Sequence, residues 1–287
     1  MGGEKKARGA PPEAAGLRHD GRMNAKPDSD QTLAARLLPA LERIAVAAGR
    51  RIMQVYAQGA AAQDRKADGS PVTEADLAAE AIILAGLAEA APGIPVVSEE
   101  DGGGTAPRPA PEATFFMVDP LDGTREFLGR TDEFTVNIAL IAAGRPVAGV
   151  VFAPALGLLW SGALGHGATL RADGQAPRPI AARPRPTGGL VAVVSRSHHD
   201  AQTEAFLARL PVIARRAIGS SLKFCLVAQG EADVYPRFGP TMEWDTAAGQ
   251  AVLEAAGGRV TDPDGAPFRC GKRDAGYRNR AFVAWGA

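Results

Sequence analysis

Apolar residues at Leu33, Leu37, Leu41, Ile44, Ala48 and Ile52 recur at helical spacing. They predict an amphipathic helix that opens at an Asp30 N-cap and runs to Gly59. A polar linker, QDRKADGSP, separates it from a second helix, from about Glu74 to Ala90, stopped by Pro92-Gly93. Ile94 to Ser98 reads as a short strand entering Glu99-Glu100-Asp101, and DGGGTAPRPAPEA as a loop of low complexity. TFFMVD is a buried strand ending at Asp119. After the turn PLDGT, the runs FTVNIALIA, PVAGVVFAP, LGLLWSG and ATLRA alternate with Gly or Pro, the pattern of an antiparallel meander. RPIAARPRPTGG reads as a Pro-rich hinge near residue 186. Beyond it come strand LVAVVS, helix AQTEAFLARL, strand IARRAI, helix SSLKFCLVAQ, strand ADVYPRF and a helix from about Thr241 to Ala256, closed by GRVTD and AFVAW. The pattern implies an α+β layered body of two sheet-plus-helix halves, residues 31–185 and 186–287.

Composition narrows the function. Among 287 residues, Lys+Arg and Asp+Glu are 32 each, a formal net charge of +0. A general binder of nucleic-acid polymers needs a basic surplus, so that class is excluded as an expectation. The 46% hydrophobic content supports a sizeable core, and two cysteines, Cys225 and Cys270, point to a reducing compartment rather than a disulfide scaffold. No apolar stretch reaches the roughly 18–20 residues of a membrane span. Residues 1–30 have a basic start without an apolar signal-peptide core, so they read as a disordered extension, within which Met23 could open a shorter product. The expected location is the cytoplasm.

The strongest chemical signal is VDPLDGT, residues 118–124. Asp119 and Asp122 in a tight turn repel one another unless a cation lies between them. Hard divalent ions prefer such oxygens, and the Leu121 carbonyl adds another. An Asx-type turn with Gly123 at positive φ explains the same residues without a metal. Glu99 and Glu100 end a short strand, as Asp119 does; solvated loop acids are the plainer reading. Asp245, in TMEWDTAAG, falls in the first turn of the last long helix, where the dipole alone favours an acid. Thr73-Glu74-Ala75-Asp76 has the form of a capping box, and Asp76 could also accept a proton from a nearby hydroxyl. Cys225, in an apolar helical run, reads as a buried structural thiol.

Taken in order, SPVTEAD, VVSEED, FMVDPLDGTREF and EWDTAAG resemble the lithium-sensitive, magnesium-dependent phosphatases of the inositol monophosphatase superfamily. Within it, EFTVNIALI, VVSRSH and IGSSLKFCLVAQGEADVYPRFGPT are most similar to the CysQ-type 3'(2'),5'-bisphosphate nucleotidases. The resemblance spans roughly residues 31–285. It implies the αβαβα sandwich of that superfamily and two or three Mg²⁺ ions. Their ligands would be Glu99, Asp119, Asp122, Asp245 and the Leu121 carbonyl, with Glu100 the non-ligand of its pair. Thr124 and Asp76 would activate the attacking water, and N–H groups near Gly123 and Thr124 would hold the phosphate.

For the substrate, the resemblance places His198, Ser220, Lys223 and Arg237 around a nucleotide. A second phosphate on the sugar needs cations outside the metal cluster, which Lys223 and Arg237 could provide. Solvation explains any one basic residue equally well, and His198-His199 reads as an exposed loop if it is not a substrate contact. The expected reaction is Mg²⁺-dependent removal of the 3'-phosphate of adenosine 3',5'-bisphosphate, with the 5'-phosphosulfate analogue as a further candidate. The alternatives are an inositol- or sugar-phosphate phosphatase on the same scaffold, and a non-catalytic interaction protein built on it. The expected assembly is a monomer or homodimer acting on a small phosphorylated nucleotide.

Overall fold

The computed structural model describes residues 27–59, 64–65, 71–100, 109–110, 112–196 and 200–287. Two helices, α1 (Pro27–Ala57) and α2 (Glu74–Ala90), form the first layer. Helix α1 begins at Pro27, not at Asp30, so residues 27–30 belong to it; proline is well suited to a first turn, whose N–H groups have no helical partner. The rest of the expected extension lies outside the described residues. Helix α2 keeps the expected bounds because its start is chemically closed: Thr73 accepts from the Ala75 N–H and Asp76 reaches back to the Thr73 backbone. Within the polar linker, β1 (Asp64–Arg65) and β2 (Pro71–Val72) make a short antiparallel pair.

The second layer is a seven-stranded sheet in sequential order, β3 (Val96–Ser98), β4 (Phe115–Asp122), β5 (Thr135–Ala142), β6 (Arg145–Ala153), β7 (Leu158–Ala163), β8 (Gly167–Ala172) and β9 (Arg178–Ile180). β3 lies parallel to β4 and the others follow as the antiparallel meander. The short helix α3 (Thr124–Leu128) leaves the end of β4. β9 occupies part of the expected hinge; Pro179 is tolerated because β9 is the sheet's edge. β4 and β5 are apolar on both faces. Phe116, Val118, Val136, Ile138 and Leu140 pack with α1 and α2, whereas Phe115, Met117, Ala139 and Ile141 enter a second core on the opposite face. Strand parity therefore sends Asp119 and Asn137 to that second face.

There α5 (Leu222–Ala228) and α6 (Ala247–Ala255) form the third layer. A Cβ on Gly149 of β6 would come within 2.4 Å of the Ala248 carbonyl, so glycine is what lets α6 lie directly on the sheet. The fourth layer is a mixed sheet in the order β11 (Val212–Ile218), β10 (Leu190–Ser195), β12 (Val234–Arg237), β14 (Phe282–Trp285) and β13 (Arg259–Thr261). Helix α4 (Ala201–Leu207) covers its outer face through a small core of Leu190, Ala192, Leu207, Val234 and Val283. Among the described residues, no helix is long and apolar enough to cross a membrane.

Candidate active site

Three peptide segments bring carboxylates to the boundary between the layers. β4 continues past its expected end: it passes through Pro120 to Asp122, with a break in register between Asp119 and Asp122. That bulge aims two acids of one strand toward one cleft. Asp119 is 1% exposed, and its Oδ1 accepts from the Leu121 N–H at 3.1 Å. Gly123 has φ +96, where a side chain is strained, and a Cβ there would meet the Glu133 carbonyl at 3.1 Å. Glu99 follows β3, and its N–H donates to the Val118 carbonyl at 3.1 Å, which puts it beside Asp119. Glu99, and not Glu100, lines the cleft.

Asp245 comes from the other side. It directly precedes the N-cap Thr246 of α6 rather than lying in that helix's first turn. The turn is closed by Asp245 itself, whose Oδ2 accepts from the Met242 N–H at 2.7 Å. Glu243 is fully buried and accepts from the N–H groups of Gly271 and Lys272 at 2.7 and 2.9 Å and from the Lys272 ammonium at 3.0 Å. Those bonds fasten the 241–246 segment to the loop before β14, leaving Met242, Trp244 and Asp245 on the wall of the cleft.

The cleft measures about 370 Å³ and is also lined by Asp122, Thr124, Ser220, Lys223 and Arg237. Burial, followed by the charges of Glu99, Asp122 and Asp245, holds the Asp119 carboxyl well above its ordinary range. Burial, then Asp122 and Glu99, does the same to Asp245. Burial lifts Asp122 to about 6, against the opposing pull of Lys223 and Ser221. Among the described residues, no three acidic, histidine or cysteine side chains close into a coordination sphere. The set nevertheless fits hard divalent cations: its donors are carboxylate oxygens, and each acid raises the cost of ionising the next until a cation offsets it.

Asp76 is 1% exposed and closes the capping box while its second oxygen faces a hydroxyl. Its Oδ2 accepts from the Thr73 N–H and hydroxyl at 2.8 and 2.6 Å, while Oδ1 faces the Thr124 hydroxyl at 3.4 Å. Thr124 Oγ1 is also 3.4 Å from the Leu121 carbonyl. Ser220 has φ +47. The Lys223 ammonium, 6% exposed, donates to the Ser220 and Ile218 carbonyls at 2.5 and 3.3 Å, and burial lowers its pKa to about 8. Arg237 donates to the Pro240 carbonyl at 3.1 Å, and its buried Nε has no partner among the described residues. His198 lies outside the described residues. Cys225 is buried and unpaired, as expected, and burial pushes its thiol well up.

Two residues beside these acids lie inside the segments EFTVNIALI and IGSSLKFCLVAQGEADVYPRFGPT, where the sequence assigned them no role. Asn137 and Ser221 are each 1% exposed and bonded to one another. The available signal was a carboxamide inside the apolar run TVNIALIA, and a second serine after Ser220. A third device, Glu133, grips Arg196 at 2.9 and 2.5 Å and the Gly219 N–H at 2.7 Å, fastening the loop that carries Ser220.

The layered fold and its acid-lined cleft define a class: residues 34–284 match the inositol monophosphatase family, and the chain belongs to that family. It is 48% identical over 238 residues to the 3'(2'),5'-bisphosphate nucleotidase CysQ of Escherichia coli O157:H7, covering 82% of this chain and 94% of that one. The CysQ crystal structure from Bacteroides thetaiotaomicron superposes with a TM-score of 0.70 at 35% identity, over 92% and 99% of the two chains. The inositol monophosphatase from Anabaena gives a TM-score of 0.68 at 28% identity, over 87% and 90%.

Proposed function

We propose that this chain is a cytoplasmic, Mg²⁺-dependent phosphatase that hydrolyses the 3'-phosphate of adenosine 3',5'-bisphosphate to AMP and phosphate. The observation that carries the reading is the meeting of Glu99, Asp119, Asp122 and Asp245, drawn from three segments, beside a cleft that Lys223 and Arg237 also line. The identity to CysQ-named relatives supports the choice of substrate. The Leu121 carbonyl and the four carboxylates would hold the ions. When bound, divalent cations neutralise phosphoryl oxygens and make water a better nucleophile at neutral pH.

The chain's own groups handle the rest. Thr124, with its hydroxyl proton turned to Asp76 Oδ1, keeps a lone pair for the attacking water, and the water's proton passes through that hydroxyl to Asp76. Thr73 fixes the other Asp76 oxygen, so the accepting atom stays in place. Backbone N–H groups at Gly123 and Thr124 orient the phosphate, and Lys223 and Arg237 receive the 5'-phosphate. Ser220 and His198 contact the nucleoside part.

The test is phosphate release from adenosine 3',5'-bisphosphate, its 5'-phosphosulfate analogue and inositol 1-phosphate, each with Mg²⁺, with EDTA and with Li⁺ added. A Mg²⁺-dependent, Li⁺-sensitive rate about tenfold or more higher on the bisphosphate is expected, equivalent to about 1.4 kcal/mol in the transition state. Lys223→Ala should lower the bisphosphate rate more than the inositol phosphate rate. Preference for inositol phosphate would overturn the substrate reading, and an EDTA-insensitive rate the metal reading.

A further inference from the structure

We propose that Asn137 and Ser221 form a positioning pair that ties the acid-bearing end of β4 to the 241–246 segment, fixing how the acids of the two are placed for a cation. The proposal rests on the metal reading above and adds two residues to it. Asn137 is the register partner of Asp119 on β5 and points to the same face of the sheet. Its Nδ2 donates to Ser221 Oγ at 2.9 Å and approaches Asp122 Oδ2 at 3.4 Å. The Ser221 hydroxyl then donates to the Asp245 carbonyl at 2.7 Å. The Ser221 backbone N–H also donates to Asp122. One continuous run of polar contacts therefore crosses from the seven-stranded sheet, through the start of α5, to the segment before α6.

The composition of the run argues that it serves the site rather than the core. The eight residues of β5 are buried, and both side chains of the pair are 1% exposed. Asn137 Oδ1 has no hydrogen-bond partner among the described residues, a cost that an apolar residue would not carry. The donor end of the carboxamide faces Ser221 and the acid, the orientation that steadies a ligand carboxylate. Groups that orient a metal's ligands typically set its affinity by about 10–100-fold.

The test measures Mn²⁺ binding to the full chain by the loss of the free-ion EPR signal, with melting temperature in EDTA as the control for folding. Ser221→Ala should weaken Mn²⁺ binding about 10–100-fold while its melting temperature in EDTA stays within a few degrees of the parent. Asn137→Leu, which keeps volume and removes the donor, should weaken it similarly, and the double variant should lose little more, because both changes break one run. A loss smaller than about fivefold in Ser221→Ala, or additive losses, overturns the pair. A parent chain that binds no Mn²⁺ overturns the metal reading instead.

Discussion

Asp119 illustrates how a single residue serves a site at the expense of the fold. Burial and three neighbouring acids raise its pKa well above the ordinary value. A carboxyl whose pKa is raised in the folded state contributes stability at low pH and loses it as pH rises through the folded value. In EDTA at neutral pH, Asp119→Asn removes that penalty, so the variant is expected to melt above the parent in a thermal scan. Its turnover with Mg²⁺ should fall on the order of a thousandfold, since an ion site contributes several kcal/mol of charge stabilisation and each 1.4 kcal/mol is tenfold. A variant that melts lower in EDTA, or keeps full turnover, contradicts the assignment. The acids were legible in the sequence because each ends a recognisable element or begins one. Asn137 and Ser221 were not: a polar residue in an apolar strand shows its purpose only when its partner, 84 positions away, is known.

At the scale of elements, the passage from β9 to β10 is fastened by one ion pair. Arg183 donates through Nε and Nη2 to both oxygens of Asp233, each at 2.7 Å, and the Val191 N–H of β10 adds a bond of 2.6 Å. Burial alone would raise the Asp233 carboxyl, but Arg183 and the Val191 N–H outweigh it and hold the pKa below its ordinary value. The stability so gained is present above the unfolded-state pKa and lost as pH falls through the folded one. Asp233→Asn should cost about 1–2 kcal/mol at pH 7, allowing for solvent screening of the half-exposed Arg183. Urea denaturation should show that difference starting to close as pH drops below about 4 and narrowing further as it falls; a difference that does not narrow contradicts the pair's role. Local closure decided whether a helix start was legible to the residue. The capping box fixes the start of α2 within the chain itself. The start of α6 depends on distant bonds, with Glu243 held by Gly271 and Lys272, so periodicity alone extended that helix back to Thr241. β9 pairs with β8 despite Pro179, and a Pro-rich run hides an edge strand.

For the whole molecule, the consequence is a coupling between layers. Asp119 and Asp122 belong to the seven-stranded sheet and Glu99 to the end of its strand β3, while Asp245 is held by Met242 and the Glu243 network beside the C-terminal loop. A cation bound by both sets stabilises the folded chain, because unfolding separates its ligands. Binding to the folded state alone adds RT ln(1 + [L]/Kd), about 2.7 kcal/mol at one hundred times Kd. For a chain of this length 1 kcal/mol corresponds to about 2–4 °C, so saturating Mg²⁺ should raise the melting temperature by roughly 5–10 °C over EDTA. Asp245→Asn removes the ligand from one set only and should reduce that shift by more than half, on the order of the affinity lost with one charged oxygen donor. A scan of melting temperature against Mg²⁺ concentration for both proteins decides the matter. Equal shifts would mean that the ions are held by the β4 acids alone, and that the two layers are joined by their packing and not by their chemistry.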